Sequence, residues 1–138
     1  MGSGASQPTA RPRAVVLVVD DDEALRESVQ GHLEDHFDVR LAPDGPTALK
    51  LVSSEPIDVV LLEILMCGTD GFEIMTRLHT ARPDLHIIVL TALDRAATAT
   101  QAMKLGALDY VVKPSSREEL VSLVSAALLM PRVRRRPS

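Results

Sequence analysis

The chain has 138 residues, enough for one domain with a buried core and too few for two ordinary ones. Apolar residues at 46% and charged residues at 25% are the balance of a globular protein and exclude a fibrous or wholly disordered chain. A net charge of −4 argues against phosphate-backbone binding, and Phe37, Phe72 and Tyr110 are too few aromatics for a base-stacking platform. The single Cys67 excludes an internal disulfide and any multi-cysteine metal centre, and fits a reducing compartment. No apolar run approaches the roughly 20 residues that span a bilayer. Residues 14–19 are too short for a signal-peptide core and run directly into acid, so the expected location is cytoplasmic.

Residues 1–13, rich in Gly, Ser, Pro and Arg and without apolar periodicity, are predicted to be a disordered segment. The folded domain is predicted over 14–130. Residues 131–138, with Pro131 followed by Arg132, Arg134, Arg135 and Arg136, read as a basic tail or linker stub rather than a nucleic-acid or lipid contact.

Between these ends, β-branched runs at 14–19, 39–42, 57–62, 86–90 and 110–112 read as strands. The first, third and fourth are near-continuous aliphatic runs, as expected of strands covered on both faces of a parallel sheet. Helical spacing fills the intervals. Leu25, Val29 and Leu33 share one face of the first helix, and Phe72, Met75 and Leu78 one face of the third. Leu120, Leu123, Val124, Ala127 and Leu128 form a stripe on the last. Ser116 and Glu119 have capping-box spacing, and Gly106 marks the end of the fourth helix. Five successive βα units predict a doubly wound α/β domain with a parallel sheet, whose chemistry collects beyond the carboxyl ends of the strands.

At those ends stand Asp20, Asp21, Asp22 and Glu23 after the first strand and Glu63 after the third. Thr91 and Ala92 follow the fourth, and Lys113 and Pro114 the fifth. Grouped carboxylates repel one another unless a cation joins them, and a hard divalent ion such as Mg²⁺ suits oxygen donors. A hydroxyl and an ammonium opposite that ion are placed to hold phosphoryl oxygens. Taken singly, each residue has a plainer explanation. An acidic run favours a helix N-terminus, a strand-end threonine packs, and a lysine solvates a surface.

In this order the residues resemble the receiver domains of two-component response regulators. The matching pieces are Val18 to Asp22, Asp58 to Glu63, Met66 with Asp70 and Gly71, and Ile88 to Ala92. Gly106 with Ala107, and Asp109 to Pro114, complete the set. The resemblance implies a flavodoxin-like five-stranded parallel sheet in the order 2-1-3-4-5 with five helices. It implies a signalling module of a phosphorelay, not an enzyme. A phosphoryl group from a histidine kinase or phosphotransfer protein would go to the acceptor seat, here Glu63, with Mg²⁺ held by Asp20, Asp21, Glu63 and the backbone carbonyl of Leu65. Thr91, Ala92 and Lys113 would serve the phosphoryl group. Tyr110 would follow Thr91 and reshape the face of the fourth helix, fifth strand and fifth helix toward a downstream effector. A homodimer is left open, and neither direct nucleic-acid binding nor membrane contact is expected.

Two departures bear on function. Cys67 stands where such domains usually have proline, which frees one backbone N–H and loosens the loop. Glu63 stands where they have aspartate, and its extra methylene moves the carboxylate by about 1.5 Å. In-line transfer is sensitive to such a shift, at on the order of a hundredfold in rate. The longer side chain either imitates a phosphoryl group toward Thr91 and Lys113 or pairs with Lys113 in a resting arrangement. Imitation would be partial, since a carboxylate carries one negative charge against roughly −1.5 to −2. Two other classes compete: a phosphorylation-independent interaction scaffold, and an enzyme or flavin binder. The last lacks a glycine-rich phosphate loop after the first strand and an aromatic pair to sandwich a flavin.

Overall fold

The computed structural model describes residues 13–113 and 115–132; Pro114, most of the predicted N-terminal segment and the basic tail beyond Arg132 lie outside the described residues. Strand β1 (Val15–Val19) leads to helix α1 (Glu23–Leu33), β2 (Asp38–Ala42), α2 (Gly45–Ser54) and β3 (Val59–Leu62). A two-stranded hairpin of β4 (Leu65–Met66) and β5 (Thr69–Asp70) precedes α3 (Gly71–Ala81). Then come β6 (His86–Thr91), α4 (Ala96–Lys104), β7 (Asp109–Val112) and α5 (Arg117–Leu129).

The main sheet runs β2-β1-β3-β6-β7, and every pairing is parallel. With the hairpin set aside this is the 2-1-3-4-5 order, with five helices, that the resemblance implied. Alternation along the strands divides the core in two. Leu17, Val19, Val60, Leu62, Ile87 and Val89 face α2, α3 and α4 through Val52, Met75, Leu78 and Ala102. Val16, Val18, Val59, Leu61, Ile88 and Leu90 face α1 and α5 through Leu33, Leu120 and Val124.

Local signals agree with the frame. Asp22, Asp44 and Asp70 each cap a helix N-terminus with a side-chain oxygen. Ser116 and Glu119 form the full capping box. Gly106 has φ +103 after α4, the left-handed conformation that ends a helix at low cost when the residue is glycine. One apolar position departs from the expectation: Val29 and Leu33 are buried, but Leu25 is 38% exposed. It belongs to the first turn of α1, which starts beyond the end of β1 and has less of the sheet to lie against.

Candidate functional site

Backbone hydrogen bonds carry the strand ladders one residue past their ends and set four side chains over one rim. Asp20 N–H donates to the Ala42 carbonyl at 3.1 Å, and Glu63 N–H to the Val19 carbonyl at 2.9 Å. Lys113 N–H donates to the Thr91 carbonyl at 2.8 Å. Asp20 and Glu63 are register partners beyond β1 and β3, while Thr91 lies one step and Lys113 two steps further along at β6 and β7, so the four stand at one rim although the chain scatters them.

The charges meet at Lys113. Its Nζ lies 2.7 Å from Asp20 Oδ2 and 2.9 Å from Glu63 Oε1. Asp20 is 5% and Glu63 6% exposed, so both carboxylates have lost most of their water. Burial works to lower the Lys113 pKa, but the hydrogen bonds and charges of Asp20 and Glu63 outweigh it and leave the ammonium above its ordinary 10.5. The remaining oxygens are also engaged. Asp20 Oδ1 accepts from Asp22 N–H at 3.0 Å, and Glu63 Oε2 from Leu65 N–H at 2.9 Å. The Arg26 guanidinium holds the Asp20 carbonyl at 2.7 Å.

Asp21 lies apart from this ion pair. Its side chain is exposed, and its Oδ2 accepts from Cys67 N–H at 2.8 Å, joining the loop after β1 to the β4–β5 hairpin. Leu65 brings its N–H to Glu63. Its carbonyl, expected as a metal ligand, belongs to a residue paired with Asp70 in the hairpin and 52% exposed.

Thr91 is fully buried, and its hydroxyl accepts from Leu93 N–H at 3.3 Å. The Tyr110 hydroxyl donates to the carbonyl of the same Leu93. The two switch candidates are thus joined through one residue of the β6–α4 loop. Burial, then the charges of Asp94 and Glu63, raise the Tyr110 pKa above 10. Ala92, next to Thr91, is exposed.

The divalent ion implied by the resemblance can be tested against these donors. Among the described residues no three His, Cys, Asp or Glu side chains are gathered as a metal-holding group. The Lys113 ammonium already bridges Asp20 and Glu63, and Asp21 is turned to the hairpin. As arranged, the side chains do not fit Mg²⁺.

Sequence reasoning missed three parts of this geometry: the hairpin, the Cys67–Asp21 bond and the Arg26 contact. The first had a readable signal. Gly68 followed by an Asp70 helix cap compresses a turn and a helix start into four residues. The other two join residues distant in sequence or depend on a side-chain direction.

Fold and rim together define a doubly wound α/β domain with a charged strand-end site. The model of the response regulator receiver domain matches residues 16–125, and the chain belongs to that family. Its members generally bind Mg²⁺ at the acidic phosphorylation site and act as signalling modules. The chain is 41% identical over 114 residues to the response regulator MprA of Mycolicibacterium vanbaalenii, covering 82% of this chain and 49% of that protein. It is 40% identical to MprA of Mycobacterium bovis over the same length. The chain spans about half the length of the curated relatives it matches. Among solved structures, the CheY-like receiver of Methanospirillum hungatei superposes with a TM-score of 0.79 at 25% identity, over 84% of this chain and 94% of that one. A Burkholderia pseudomallei response regulator with a phosphorylated aspartic acid, calcium ion and citrate gives 0.74 at 31% identity, over 82% and 71%. No helix among the described residues is long and apolar enough to cross a membrane.

Proposed function

We propose that this domain is a receiver in which Glu63 fills the phosphoacceptor seat and makes transfer from a histidine kinase or phosphotransfer protein slow or absent. Output would pass to an effector protein or domain through the face of α4, β7 and α5, which carries Tyr110. The observation that carries the reading is the position of Glu63. It follows β3 at the strand-end rim, buried, with one oxygen on Lys113 and the other on Leu65 N–H. Attack on a phosphorus atom needs a carboxylate oxygen aligned with the donor, and here the contacts with Lys113 and Leu65 N–H direct both oxygens of the longer side chain toward the protein. The Burkholderia structure holds a phosphorylated aspartic acid, an acid one methylene shorter than Glu63.

Of the two roles weighed for the glutamate, pairing with Lys113 has the stronger support, since Glu63 Oε1 lies 2.9 Å from Lys113 Nζ. Mg²⁺ assistance would be weak for the same reason, the ammonium holding the place between the acids. The phosphorylation-independent scaffold is the second reading. It is favoured by the pairing of Lys113 with both acids, which holds the pocket together without a phosphoryl group.

Incubation with a small acyl phosphate and Mg²⁺, followed by intact-mass analysis, tests the first reading. The expected result is little or no labelling of the wild type and recovered labelling of Glu63→Asp. Rapid stoichiometric modification of wild-type Glu63 would overturn it. Effector affinity unaffected by Glu63→Asp plus phosphodonor would favour the scaffold.

A further inference from the structure

The amino-terminal edge of the sheet, opposite the acid pocket, carries a second group of charges that the proposed function does not use. Asp58 directly precedes β3, Asp84 lies just before β6, and His86 is the first residue of β6. The two oxygens of Asp58 are divided. Oδ2 accepts from Val15 N–H at 2.8 Å, where β1 begins, and Oδ1 accepts from the Arg132 guanidinium. The other arm of that guanidinium, Nη1, lies 3.8 Å from Asp84 Oδ2. Asp84 Oδ1 in turn faces Arg82 Nε at 3.5 Å, and Arg82 Nη2 donates to the Ile57 carbonyl at 3.1 Å, just before β3. Arg132, which the sequence groups with a solvated basic tail, is thus directed to the protein.

A helix leaves its last carbonyls without partners of its own. Past the end of α5, the carbonyl of the cap residue Met130 accepts from His86 Nε2 at 3.2 Å. Pro131 follows, and its ring fixes one backbone angle, so few free rotations separate the His86 contact from the Arg132 contact. Once Met130 is held, closing the second contact costs little further chain entropy. A lone surface ion pair contributes little, but here one planar fork meets two acids that are themselves held, by Val15 N–H and by Arg82. We propose that residues 130–132 form a strap that anchors the chain leaving α5 to the amino-terminal edge of the sheet, with Arg132 as its clasp on Asp58 and Asp84. The strap sets the edge from which the chain continues, on the side of the domain away from Glu63. Through Asp58 the entry of β1 and the exit of α5 are tied to the same strand. The inference rests on the fold alone and stands whether or not the domain accepts a phosphoryl group.

Measurement of ¹⁵N relaxation on the full chain tests the strap, comparing the wild type with Arg132→Gln and Asp58→Asn. Asparagine keeps a carbonyl oxygen for Val15 N–H and removes the charged acceptor of Arg132, so the entry of β1 should stay in place. In the wild type the backbone order parameter at position 132 should be near the value of rigid backbone, about 0.85. In both variants it should fall below about 0.6, while Val15 keeps its wild-type value. A wild-type value already below about 0.6 at position 132, or variants that keep the wild-type value there, would overturn the inference. Limited trypsin digestion with mass analysis gives a second readout. Cleavage between Arg132 and Val133 should be about tenfold faster in Asp58→Asn than in the wild type, because cleavage follows the population of the opened state. Equal rates would overturn the inference as well. Neither measurement uses a phosphodonor, so the labelling experiment on Glu63 can fail without affecting this result, and the reverse.

Discussion

Lys113 faces two carboxylates, Asp20 and Glu63, in a place from which most water has been removed. Two negative charges and one positive charge at hydrogen-bond distance form a unit in which each partner depends on the others. Removing the ammonium leaves two buried acids without a counter-charge, a change that costs about 3 kcal/mol in comparable settings. Lys113→Met should therefore lose about that much stability at pH 7, measured by urea unfolding; an equally stable variant would contradict the account. The pH dependence has a definite sign. The Lys113 pKa is raised in the folded state, so its contribution is fully present below the unfolded value of about 10.5 and disappears as pH rises through the higher folded value. The stability difference between wild type and Lys113→Met should accordingly narrow above pH 10.5. Tyr110 titrates in a neighbouring range and is present in both proteins, so the difference isolates the lysine.

Among the elements, the hairpin of β4 and β5 does the most to shape the rim, and the close approach of Gly71 holds it there. A Cβ on Gly71 would lie 2.8 Å from the Ile64 carbonyl oxygen and 2.7 Å from its Cβ, with backbone rather than a flexible side chain in the way. Glycine at the start of α3 lets the chain leaving Glu63 turn back against the helix and fixes where Leu65 N–H meets Glu63. Gly71→Ala should destabilise the domain by about 3 kcal/mol in thermal or urea unfolding, near the upper end for overpacking. A neutral result would mean that the hairpin is free to shift. The five main strands and the Ser116–Glu119 capping box were legible because they depend on neighbours in sequence: near-continuous apolar runs, and Ser or Gly at helix ends. The hairpin left only Gly68 and the Asp70 cap as a signal, because its strands have two residues each and show no periodicity.

For the molecule as a whole, stability is concentrated in the centre of the sheet. Strands β1, β3 and β6 are buried along their full length and lie between two apolar layers. By contrast α4 buries only Ala102, and its N-cap residue Arg95 makes no side-chain capping bond. Native-state hydrogen exchange should show the amides of β1, β3 and β6 opening only with global unfolding, and those of α4 opening at a lower free energy. Protection of α4 equal to that of the central strands would contradict this distribution. The helix next to the Thr91–Leu93–Tyr110 contacts should therefore open before the central strands.

The order of the main elements, the aliphatic identity of the core and the strand-end positions of Asp20, Glu63, Thr91 and Lys113 could be read from the chain itself. Hydrophobic periodicity, caps and strand-end positions are properties of residues close together in sequence, and the parallel βα repeat then brings the ends of the strands to one rim. Which acid faces which partner was decided only in three dimensions. Glu63 meets Lys113 and Leu65 N–H, Asp21 meets Cys67 N–H, and Tyr110 meets Leu93 because strand register, a tight turn and the Gly71 contact fix directions and distances. A carboxylate in the sequence is free to pair with any cation or donor within reach. Burial removes the water that would otherwise satisfy it, and the fold leaves it a single set of neighbours.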